Sequence, residues 1–125
     1  MTARYVIRIH PDGESELVCC NKKGTLTLKT LQRLVGGPIE TVPTVLSDGW
    51  TREDDNRIIM IVNEEGRLLR LPHNEAASLM AGFGVDAIVG PTVIMAARRD
   101  ELVGLVADAA RHIMAEWLTG DVEYD

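Results

Sequence analysis

A chain of 125 residues, 46% hydrophobic and 26% charged, has the length and composition of one globular domain. Aromatic residues make up only 4%, so the core has to be aliphatic. The formal charge of −6 argues against a protein that tracks nucleic-acid phosphates, and two cysteines adjacent at positions 19 and 20 exclude a disulfide framework.

Thr2, Ala3 and Arg4 lead straight into a strand-like run, with no apolar stretch of secretory length and no run near the ~20 residues of a membrane span. This reads as a reduced, cytoplasmic protein. Tyr5, Ile7 and Ile9 alternate with Arg4, Val6 and Arg8, and Ser15, Leu17 and Cys19 alternate with Glu16, Val18 and Cys20. His10-Pro11-Asp12-Gly13 between them is turn chemistry, so the two runs predict a β-hairpin. Thr27 is placed to cap a two-turn helix carrying Leu28, Leu31, Leu34 and Val35, which Gly36-Gly37-Pro38 stops. Residues 39–42 read as a short strand, and residues 47–56 as a polar loop holding Trp50.

The run Ile58-Ile59-Met60-Ile61-Val62 predicts a central strand buried on both faces. Asn63-Glu64-Glu65-Gly66 reads as a hairpin loop, with residues 67–71 as the returning strand. Asn74 is placed to cap a helix over residues 75–81, closed by Gly82 and Gly84. Residues 86–89 and 92–96 read as one strand broken at Gly90-Pro91, or as two. Residues 99–118 read as the longest helix, with Leu102, Val106, Ala109, Ile113 and Trp117 on one face and a stripe wide enough for a second contact. Residues 121–125 read as a frayed end.

The charge is uneven along this pattern. Residues 100–125 carry Asp100, Glu101, Asp108, Glu116, Asp121, Glu123 and Asp125 against Arg111 alone, so the whole net charge falls there. The expected division is a charge-balanced α+β domain over residues 1–97 and an acidic amphipathic helix over residues 98–125, packed on that domain or on a partner. The expected sheet is mixed or antiparallel, with five to six strands, a β-grasp-like start, helices on one face and a long C-terminal helix.

Three stretches resemble a known family. They are Leu31-Gln32-Arg33-Leu34-Val35-Gly36-Gly37-Pro38-Ile39-Glu40; then Val62-Asn63-Glu64-Glu65-Gly66-Arg67-Leu68 with Leu71-Pro72-His73-Asn74-Glu75-Ala76-Ala77; and Asp86-Ala87-Ile88-Val89-Gly90. Together they are similar to the bacterial and phage family catalogued as domain of unknown function 3846, over roughly residues 4–96. The resemblance implies a small protein carried by phages, plasmids or conjugative elements, and it implies no activity.

Candidate residues fall into four groups. Arg67, Arg70, Arg98 and Arg99 would form an anion or nucleotide site if their strands were neighbours, and Asn63 and Asn74 are further ligand contacts. Helix capping explains Asn74 as well. Glu64 and Glu65 suit a cation or acid–base chemistry, as in a metal-dependent hydrolase, or simply a polar turn. Cys19 or Cys20 with His10 would make a thiolate pair only if the hairpin brought them together, and Ser15, Ser47 and Ser78 lack a nucleophile-elbow context. Trp50, Leu102, Val106, Ile113 and Trp117 are candidates for partner contact.

The reading that follows is a non-enzymatic accessory protein acting through protein–protein binding, with no cofactor and no metal, and with a homodimer through the C-terminal helix. The alternative is a small-ligand protein that binds or sequesters a nucleotide or another anion.

Overall fold

The computed structural model describes residues 3–46 and 56–118. Trp50, residues 47–55 of the loop expected over residues 47–56, and the frayed end expected over residues 121–125 lie outside the described residues, while Asn56 opens a strand instead. Among the described residues, the fold is α+β, a seven-stranded antiparallel sheet with three helices.

The first hairpin forms as its alternation predicts. β1 (Arg4–Ile9) pairs antiparallel with β2 (Ser15–Cys19). Thr27 Oγ1 accepts from Thr30 N–H at 3.1 Å and opens α1 (Leu28–Val35), which buries Leu31, Leu34 and Val35. Gly36, at φ 87°, ends it. β3 (Ile39–Pro43) and β4 (Asn56–Asn63) follow, then α2 (Glu75–Met80) and β5 (Thr92–Arg98). The chain continues through β6 (Glu101–Val103), β7 (Leu105–Val106) and α3 (Ala107–Ile113), which runs on as one π-helical turn, Met114–Leu118.

The strand order is β2-β1-β5-β4-β3, with β6 added on β5 and β7 on β1. Every pairing is antiparallel, so the parallel central pair of a β-grasp is not formed. β4 is central, flanked by β3 and β5, as its unbroken apolar run requires.

Strand alternation sorts the core into two layers. Ile7, Ile9, Ile58, Met60, Ile94 and Ala96 face α2 and α3, meeting Ala77, Met80, Ala109 and Ile113. Val6, Ile59, Ile61, Val93 and Met95 face α1 and meet Leu31, Leu34 and Val35. Helices therefore cover both faces of the sheet, where the sequence predicted one. With the two central strands apolar on both sides, a cover on one face alone would leave the other layer in water.

Three further expectations are overturned. Residues 67–71 are not a strand: the chain after β4 coils through successive turns, with Leu69 N–H donating to Glu65 O and Leu71 N–H to Gly66 O. β3 and β5 already occupy both edges of β4, which leaves no ladder for a third partner. Residues 86–89 form no strand either, apart from a bridge between His73 and Val89.

The long helix over residues 99–118 is replaced by β6, β7 and the short α3. Gly104, between the two strands, explains the change. A Cβ there would stand 2.5 Å from Cys20 Sγ and 3.1 Å from Tyr5 N, so the backbone itself packs against the base of the first hairpin. The division expected at residues 97 and 98 falls inside β5, and residues 98–118 supply strands and core to the same sheet.

Candidate binding site

The end of the sheet where β4 finishes is built from side-chain locks between distant segments. Asn63, the last residue of β4, is 5% exposed. Its Nδ2 donates to Val35 O at 3.2 Å, and its Oδ1 accepts from Glu65 N–H at 2.8 Å. Gly37 lies against this amide, and a Cβ there would be 2.9 Å from Nδ2. Glu64 N–H donates to Pro38 O at 2.7 Å. The end of α1 is thus tied to the end of β4.

Asn74 makes a second lock. It is wholly buried, and its Oδ1 caps α2 by accepting from Ala77 N–H at 3.1 Å. Its Nδ2 donates to Ile9 O at 3.1 Å and to Gly90 O at 2.9 Å, while its own N–H donates to Ile88 O. One amide therefore holds α2, β1 and the approach to β5 together. Ser78 is a third lock: Oγ donates to Asn74 O at 2.8 Å and accepts from Ile88 N–H at 2.8 Å. The exposed His73 sits 3.3 Å from the same oxygen.

Between these locks lies a cavity of about 200 Å³. Val42, Val62 and Ile88 give it an apolar floor, and Glu40, Glu64, Asp86 and Arg67 bring charge to it. Arg67 Nη2 donates to Ala87 O at 2.8 Å and stands 3.8 Å from Asp86 Oδ2. Three carboxylates around one guanidinium make this cavity acidic.

The four arginines do not converge. Arg67 and Arg70 belong to the coil after β4, and Arg98 and Arg99 lie at and just past the far end of β5. β4 and β5 pair from Asn56↔Arg98 to Ile61↔Val93, so the two pairs lie a strand length apart, roughly 20 Å. Arg99 instead flanks a second cavity of about 300 Å³ on the α1 side, with Arg57, Ile59, Ala97, Asp100 and Leu102. Asn63 and Asn74 have their amide groups engaged by the fold itself.

The partner-contact residues separate in the same way. Ile113 is 1% exposed in the protein's own core, Val106 packs partly buried beside it, and Leu102 lies on the opposite face. Trp117, 38% exposed, is the one described member of the set that reaches the surface.

His10 does not meet either cysteine. Its Nε2 pairs with Glu16 Oε2 at 2.8 Å at the turn end of the hairpin, and that bond holds the Glu16 carboxyl below its ordinary range. Cys19 pairs with Tyr5 at the other end. Burial pushes the Cys20 thiol up to about 11, away from thiolate chemistry. No group of three or more His, Cys, Asp or Glu among the described residues is arranged to hold a metal. No helix among them is long and apolar enough to cross a membrane.

Sequence reasoning missed the most exposed apolar residues. Phe83 is 100% exposed, Leu68 80% and Leu79 67%. The signal for Phe83 is present in Gly82-Phe83-Gly84: an aromatic between two glycines has no neighbouring side chain to cover it.

The family model described as domain of unknown function DUF3846 matches residues 1–118. The chain belongs to this family. The match reaches beyond residue 96 and takes in β6, β7 and α3, which the resemblance had left outside. No curated protein and no solved structure matches the chain. The three stretches that carry the DUF3846 resemblance are the ones joined by the Asn63 and Asn74 locks, and they line most of the acidic cavity.

Proposed function

We propose that this DUF3846 protein is a non-enzymatic accessory component of a phage or mobile element, working in the cytoplasm by binding another protein. The exposure of Phe83 carries this reading. It is the single phenylalanine in the chain, it is fully exposed, and Leu79 stands exposed four residues before it. Leaving such side chains in water forgoes roughly 1.5–3 kcal/mol each, while buried aromatic anchors dominate protein interfaces. The test is affinity capture from host lysate with wild-type protein and with Phe83→Ala plus Leu79→Ser. The expected outcome is a protein retained by wild type and lost by the double variant, with the melting temperature unchanged. Equal capture by both, or none by either, overturns the reading.

The acidic cavity favours a second reading, a small-ligand protein. With Glu40, Glu64 and Asp86 around Arg67, the site suits a compact amine better than a nucleotide or another anion. A thermal-shift panel separates the two, because a ligand of the native state raises the midpoint. A rise with small amines that Glu64→Gln abolishes supports it. A flat response to amines, or a rise with nucleotides alone, overturns the amine site.

A further inference from the structure

The two edges of the sheet are finished differently. Beside the end of β3, Gly82 N–H donates to Pro43 O and Val45 N–H to Met80 O, and Thr44 bridges Ala81, so the end of α2 covers that edge from Pro43 onward. β2 has no such cover among the described residues.

The bonding phase of β2 shows which groups are free. Cys20 N–H donates to Arg4 O and His10 N–H to Glu14 O, and Val6↔Val18 and Arg8↔Glu16 are paired between them. In an antiparallel ladder alternate residues turn their backbone groups to the neighbour. Glu16 and Val18 therefore face β1, and Ser15, Leu17 and Cys19 point their N–H and C=O groups outward. Leu17 and Cys19 are exposed as well. This edge has neither a proline nor a lysine within it, the usual guards of a free strand.

We propose that two copies of this chain join antiparallel through β2, with the two-fold axis at Leu17, extending the sheet from one subunit into the next. This register uses every outward group. Leu17 pairs with the partner's Leu17, Ser15 with the partner's Cys19, and Cys19 with the partner's Ser15. The charges favour the same arrangement. Asp12 and Glu14 lie just before the strand and Glu16 at its start, while Lys22 and Lys23 lie past its end, so the two-fold axis brings the acidic end of one β2 beside the basic end of its partner's. A closed, isologous pair is the form a self-complementary edge takes. One strand pair buries less than the roughly 1,600 Å² of a standard interface, so the dimer forms and dissociates with concentration. The surface lies at the opposite sheet edge from the segment that carries Phe83, so the two proposals fail separately.

Sedimentation equilibrium of the full chain under reducing conditions, from micromolar to millimolar, is the first measurement. Wild type is expected to shift from monomer to dimer. Leu17→Pro removes an outward N–H and the exposed Leu17 side chain but no bond to β1, at a position where an edge strand tolerates proline, and is expected to stay monomeric with its circular dichroism unchanged. Ser15→Cys supplies an independent check that does not disturb the ladder. Opposed residues of a hydrogen-bonded antiparallel pair have Cα atoms about 5.5 Å apart, within disulfide reach. Mild oxidation is expected to give a covalent dimer joined between position 15 and the partner's Cys19, as mapped by peptide mass spectrometry. A wild type that stays monomeric throughout, a Leu17→Pro protein that dimerises as wild type does, or bridging of Cys19 to the partner's Cys19 overturns the proposal.

Discussion

Asn74 shows how much of this fold hangs on a single amide. Its oxygen caps α2 and its nitrogen serves the carbonyls of Ile9 and Gly90, all out of water. Asn74→Ala removes the cap and strands two buried acceptors, an expected loss of about 2–4 kcal/mol in urea unfolding. Asn74→Asp keeps the cap but turns a carboxylate toward two carbonyl oxygens. Its expected loss is at least as large at neutral pH, and it shrinks on acidification, when the protonated carboxyl donates again. The sequence marked Asn74 as a cap, and the cap is there; the two long-range bonds were invisible, because they depend on which strands become neighbours. Asn63 was read as a turn residue for the same reason, since its link to Val35 spans 28 positions. The four arginines failed on topology as well. Their proximity required 67–71 to be a strand beside β5.

At the scale of elements, the sequence was most legible where period and punctuation agree. The first hairpin, α1 with its Thr27 cap and Gly36 stop, β3, β4 and α2 all follow from alternation, capping and turn residues. The C-terminal third was misread because Leu102, Val103, Leu105 and Val106 satisfy a helical stripe and two short strands equally well. Gly104 at their centre was the sign against a helix. The β5–β6 turn leaves a measurable trace of this arrangement. Arg99 sits at φ 56°, a left-handed conformation that costs an ordinary residue roughly 1 kcal/mol. Arg99→Gly is expected to raise stability by about 0.5–1 kcal/mol in denaturant unfolding. In a helix the same change would lower stability by a similar amount, so the sign of the effect reports which structure the segment adopts.

For the whole molecule, the acidic C-terminal region now has a different meaning. The net charge gathers past residue 99, yet residues 101–113 complete the sheet and place Ala109, Ala110 and Ile113 in the core. A chain ended at residue 97 loses β6, β7 and α3 and bares the Ile7, Ile94 and Ala96 side of the sheet. Such a fragment is expected to lose cooperative urea unfolding and to bind a hydrophobic dye, as a loosely packed state does. A sharp, cooperative transition from that fragment would restore the two-part division.

The pairing of β1 also carries a temporal consequence. Arg4 and Tyr5 pair with Val106 and Leu105, and Ile7 and Ile9 with Ile94 and Thr92. On a ribosome adding about 5–20 residues per second, the first strand waits several seconds for the partners that bury its inner edge. During that interval the nascent hairpin exposes Val6, Ile7 and Ile9, so the burden on chaperones falls between the synthesis of β1 and that of β5 and β7, whose arrival closes this part of the core.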